Sequence, residues 1–173
     1  MTFTELRVQS FEYITSKFEH IIREDMLGKL YCGAKYRIVI SEEWREDNKN
    51  GCCSIHVNAN KNVNEMYSFT ITFYTTMIYE NSRNKCSYGE ALEKVLLHEL
   101  RHLAQYIEII NYFHDAWEMN KFNNWHNTVD YYSDPMEMDA YDFQEYASVD
   151  QFEKGVEFMF KGIEKVLNEL FNA

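Results

Sequence analysis

Residues 92–110 read LEKVLLHELRHLAQYIEII, and this stretch organises the reading of everything around it. Inside it lies the pattern H-E-x-x-H, formed by His98, Glu99, Leu100, Arg101 and His102. On a helix, positions i and i+4 lie one above the other on the same face. Leu96, Leu100, Leu103 and Ile107 form one apolar stripe, while His98, His102 and Gln105 fall on a different side. One face is thus offered to a core and another to a site. Two imidazoles on that second face can hold one metal ion, and Glu99 beside them can take a proton from metal-bound water. The plainer reading of the same pattern is a pair of helix-surface histidines. Ser87 and Glu90 give the helix a start, as an S-x-x-E capping box.

Working outward, the spacing predicts an amphipathic helix over 3–27, with Phe11, Ile14, Phe18 and Ile21 on one face. Thr2 and Glu5 cap its start, and Gly28 is its expected stop. Three strands should follow. Tyr36, Ile38 and Ile40 alternate in the first, Cys53, Ile55 and Val57 in the second, Phe69, Ile71 and Phe73 in the third. Loops 42–51 and 58–66 separate them, and loop 80–86 leads to the metal helix. Residues 111–132 are aromatic and polar without a clear period, which reads as a helix fragment and a long loop. Asp134-Pro135 then opens a helix running to Ser148, with Asp134 as N-cap and proline at the first position. A last helix is expected over 150–171, with Phe152, Val156, Met159, Ile163, Val166 and Leu170 on one face. The expected fold class is α+β, one domain over 1–173, built on a small, mostly antiparallel three-stranded sheet.

Composition narrows the function. A chain of 173 residues that is 46% hydrophobic, with 12 Phe and 13 Tyr, can bury a real core. Its 28 acidic and 17 basic residues give a charge of −11, which argues against gripping nucleic-acid phosphates. The acids are scattered among Lys and Arg, so a soluble, self-repelling surface is preferred to an acidic imitation of DNA. Cys32, Cys52, Cys53 and Cys86 form no C-x-x-C pair and read as buried free thiols. The start, MTFTELR, lacks the apolar run of a signal peptide, and no stretch is long enough to span a membrane. A cytoplasmic protein is expected.

A catalytic zinc usually takes three protein ligands and leaves a fourth position for water. The pattern H-E-x-x-H-x-x-G-x-x-H would need glycine at 105 and histidine at 108, where this chain has Gln105 and Glu108. A continuing helix turns Glu108 away from the two histidines. The helix opened by Asp134-Pro135 supplies Glu137 instead, and Ala140 one turn on allows a close approach to the metal helix. Glu137 also has capping-box spacing from Asp134. Asp139 is the competing ligand, and Asp139 or Asp142 could instead orient a metal-bound histidine.

HELRH followed by Glu137-x-Asp139-Ala140 resembles the gluzincin branch of the zincin metallopeptidases. The short chain is most similar to small bacterial and phage zincin-like proteins, including the ImmA/IrrE group, although Asp139 stands where that group has Glu. The motifs cover residues 87–143, while residues 1–80 match only in the order of elements. The resemblance implies a zincin-like fold and zinc held by His98, His102 and Glu137. It implies peptide-bond hydrolysis of a peptide or protein substrate, with Glu99 as general base. The strand at 67–76 could hold extended substrate by main-chain pairing. His126, Tyr131 and Tyr132 are the candidates for stabilising the oxyanion. His20, His56 and His114 read as surface or core residues. The alternative reading is a zincin fold kept as a binding or regulatory protein without turnover.

Overall fold

The computed structural model describes residues 1–172. Helix α1 spans Phe3–Lys17 and opens with the expected capping box: Thr2 Oγ1 accepts from the Glu5 N–H, and Glu5 accepts from the Thr2 N–H. It does not run on to residue 27. After Phe18 the chain takes a wider π-type turn over Ile21–Met26 and a 3-10 turn over Leu27–Lys29, which contains Gly28. The spacing of the apolar residues explains the change. Ile14, Phe18, Ile22 and Met26 are all buried and recur every four residues. Four-residue steps overshoot a 3.6-residue turn, and a wider turn keeps the later ones facing the core.

Strands β1 (Ala34–Ser41), β2 (Gly51–Val57) and β3 (Tyr67–Tyr74) form one sheet in the order β1-β3-β2. β3 pairs parallel with β1 and antiparallel with β2, so the sheet is mixed rather than mostly antiparallel. The central place goes to the strand with the most apolar inner face. Tyr67, Phe69, Ile71 and Phe73 of β3 are all fully buried. β3 passes without a turn into helix α2 (Thr75–Ser82), which the alternating pattern upstream concealed; Met77 and Ile78 anchor it in the core.

Helix α3 (Tyr88–Phe113) is the axis of the molecule, 26 residues long and almost wholly buried from Leu92 to Ile110. Its predicted cap is in place: Ser87 Oγ accepts from the Glu90 N–H, and Glu90 accepts from the Ser87 N–H. It ends at His114, whose φ of 50° is left-handed. Helix α4 (Ala116–His126) then occupies half of the stretch 111–132, expected as a helix fragment and a long loop. Its start signal is Asp115, whose carboxylate accepts from the N–H groups of Trp117 and Glu118. Helix α5 (Pro135–Tyr146) begins as expected, with Asp134 accepting from the Met136 N–H at 2.9 Å. The single helix expected over 150–171 is broken into 3-10 turns and a short helix α6 (Ile163–Phe171). Gly155 and Gly162 adopt φ of 102° and 84°, values an α-helix cannot contain.

One hydrophobic cluster joins α1, the sheet's inner face, α3 and the C-terminal segments. Of the four free thiols, Cys32 and Cys53 are buried and Cys52 half-buried; Cys86 is exposed, against expectation. No helix among the described residues is long and apolar enough to cross a membrane.

Candidate metal centre

α3 and α5 pack along each other with Ala140 fully buried, and the contact brings three side chains to one point. His98 Nε2 and His102 Nε2 lie 3.1 Å apart. Glu137 Oε2 lies 3.3 Å from the first and 3.2 Å from the second. The outer ring nitrogens fix the chemistry of the inner ones. His98 Nδ1 donates to Gln144 Oε1 at 3.0 Å, and His102 Nδ1 donates to Gln105 Oε1 at 2.8 Å. An amide oxygen only accepts, so each Nδ1 carries the hydrogen and each neutral ring turns a bare Nε2 inward. With both rings neutral, two nitrogen lone pairs and a carboxylate oxygen face one another, a donor set that could hold a cation. Ligand atoms 2.0–2.1 Å from a tetrahedral zinc lie about 3.3 Å apart, the spacing of this triangle.

Without a metal, the same cluster gathers a proton. Burial disfavours the charged form of His102, but Glu137, helped by Glu99 and Gln105, outweighs it and pushes the pKa up to about 9. Burial alone would raise the Glu137 carboxyl; His102 and His98 hold it well below the usual carboxylate range.

Glu99 is 3% exposed, and its Oε2 has no hydrogen-bond partner among the described residues. Burial pushes its pKa up, against the pull of His102 and His98. Its carboxylate packs on the backbone of β2. A β-carbon added to Gly51 would come within 2.6 Å of Glu99 Oε1.

Asp139 is not in the triangle. Arg101, the buried residue inside H-E-x-x-H, takes its carboxylate with Nε at 2.7 Å and Nη2 at 2.9 Å. Arg101 Nη1 donates to the Met159 carbonyl at 2.8 Å, and the guanidinium lies 4.6 Å from the Phe143 ring centre. Gln105 Nε2 donates to Asp139 Oδ2 and to the Met136 carbonyl. A continuous chain of hydrogen bonds thus runs from His102 through Gln105 and Asp139 to Arg101. The groups that orient the histidines are the neutral amides of Gln105 and Gln144, not Asp139 or Asp142; Asp142 is exposed. Gln144 follows Glu137 by two helical turns and shares its face, a spacing legible in the sequence. Gln144→Ala is expected to weaken metal binding about 10–100-fold, read by competition with a chromogenic chelator.

The oxyanion candidates separate. His126 Nε2 is bonded to Asp134 Oδ2 at 2.7 Å and its ring stacks on Phe122. Tyr132 is 88% exposed. The Tyr131 hydroxyl bonds that of Tyr141 at 2.7 Å, and Tyr141 packs edge-on against His98. Burial, Tyr141 and Glu137 together raise the Tyr131 phenol's pKa. His20, His56 and His114 are exposed and apart from the cluster.

A groove of about 660 Å³ runs along α3 from Ala91 to Tyr106, with the start of β2 on one wall and α5 with Tyr131 on the other. β3, expected to pair with substrate, has both edges occupied and offers none. The strand bordering the groove is β2, an edge strand whose Gly51, Cys52 and Cys53 line it. Further along, Asn123 of α4 donates to the Ile55 carbonyl. No family model, curated protein or solved structure matches the chain.

Proposed function

We propose that the chain is a zinc-dependent metallopeptidase in which His98, His102 and Glu137 hold the metal and Glu99 is the general base. The observation that carries this reading is the triangle of two bare imidazole nitrogens and one carboxylate oxygen, spaced as a face of a zinc tetrahedron. Zinc bound there would lower the pKa of its water towards ~7 and polarise a carbonyl. Glu99 takes the water proton and passes it to the leaving amine. Its burial suits the task, since a carboxylate whose pKa is raised is the stronger base towards that water. The free edge of β2 at Gly51–Cys53 holds an extended substrate by main-chain pairing. Gln105 and Gln144 keep the two histidines in the ligating tautomer.

Metal analysis of purified protein tests the reading. Wild type is expected to carry about one zinc per chain, Glu137→Ala to lose it, and a chelator to lower the melting temperature of wild type only. A metal-free wild type whose melting ignores chelator would sink the proposal.

A further inference from the structure

Peptide-bond hydrolysis places negative charge on the carbonyl oxygen, and a preorganised donor or cation there lowers the barrier. His126 is engaged by Asp134, and Tyr132 stands in solvent. The groove supplies another group. Lys49 lies two residues before Gly51, the residue on which Glu99 packs, and it is half-buried on the groove wall. Its ammonium reaches across to the opposite wall, 5.4 Å from the centre of the Tyr131 ring. The Tyr131 hydroxyl in turn bonds that of Tyr141 at 2.7 Å, and the Tyr141 ring packs against His98. Lys49 therefore lines the same groove as Glu99 and lies against the Tyr131–Tyr141 pair beside His98, and its charge is felt at Glu99 and Cys52. No carboxylate oxygen lies within 4.0 Å of its ammonium among the described residues, whereas Lys94 on the same groove is paired with Glu145 at 3.1 Å. In a chain of charge −11, a groove-lining lysine with no ion-pair partner among the described residues is not a default of composition.

We propose that Lys49 is a catalytic residue, its ammonium stabilising the substrate carbonyl oxygen as that oxygen becomes negative; this rests on the metallopeptidase reading. The water oxygen bonds to the carbonyl carbon, and the C–O π pair moves onto the oxygen facing Lys49. That pair returns as the C–N bond breaks, and the amine leaves with the proton that Glu99 took from water. Lys49 keeps its protons throughout and acts by charge and hydrogen bonding alone.

Two small probes on the zinc-loaded full chain separate the parts. Acetohydroxamate reports the metal, and phenylphosphonate, a tetrahedral anion, reports metal plus cation. Lys49→Met is expected to weaken phenylphosphonate binding roughly 10–100-fold, the worth of one charge-assisted hydrogen bond. Zinc content and acetohydroxamate affinity should stay within about threefold, and Lys49→Arg should retain most of the phosphonate affinity. In wild type, added salt should weaken the phosphonate and spare the hydroxamate, a readout independent of any variant's folding. Lys49→Met with unchanged phosphonate affinity, equal losses for both probes, or a wild type that ignores phosphonate while binding hydroxamate overturns the role of Lys49. A wild type that binds neither zinc nor hydroxamate overturns the metallopeptidase reading and the role of Lys49 with it.

Discussion

Asp139→Ala is expected to lower the unfolding free energy by about 3–5 kcal/mol, a drop of about 6–20 °C in melting temperature for a chain of this size. Arg101 is 1% exposed, and two of its three hydrogen-bonding nitrogens are spent on Asp139. Without that carboxylate a guanidinium charge is left in the interior with only the Met159 carbonyl and the Phe143 ring beside it. Gln105 loses one of its two acceptors in the same step, so the amide that orients His102 is held by the Met136 carbonyl alone. Removing both charges is a milder injury than removing one, because nothing buried is then left unpaired. An Arg101→Met, Asp139→Leu double variant should therefore recover much of the loss. Thermal and urea melts decide the matter. An Asp139→Ala protein within about 1 kcal/mol of wild type would show that the pair does not hold α5 to α3.

Glu99→Gln is the change with the largest expected effect on chemistry. The amide keeps the shape of the side chain and loses the base, so peptide cleavage should fall about 10²–10⁴-fold while zinc stays bound. Mass spectrometry of a peptide mixture reads the cleavage, and metal analysis reads the zinc. Stability should hold or rise. A buried carboxylate whose pKa burial has raised destabilises the fold above that pKa, and a neutral amide removes that penalty. A variant that cleaves as fast as wild type would remove Glu99 from the mechanism. One that keeps the full biological effect with no cleavage would favour a binding or regulatory protein on a zincin-like scaffold.

The parts of the molecule written locally were legible. α3 announces itself by a 3.6-residue apolar period and a capping box, and Asp134-Pro135 marks the start of α5 within one residue. Glu137 could be placed opposite His98 and His102 because both elements are helices with readable faces. Long-range choices were not legible. The order β1-β3-β2 depends on which strand competes best for the centre, a contest decided by pairing partners far apart in sequence. Asp139 stood as the competing ligand to Glu137 until Arg101, a cation on the buried side of α3, claimed it. Arg101 itself was readable only as the unspecified x of the motif. The C-terminal apolar period was real but overridden at Gly155 and Gly162, where the backbone takes a conformation that helical spacing does not encode.

Gly51 carries a different kind of constraint. Its backbone is not in the left-handed region, so the chain does not need glycine there to turn. The space a methyl group would fill is already taken by the Glu99 carboxylate. The edge strand thus acts as a gauge block for Glu99: bare main chain sets how far the carboxylate can swing. A substrate paired to Gly51–Cys53 would be registered against that same main chain. Base and scissile bond would then be measured from one ruler, and a shift of α3 against the sheet would put both out of true together.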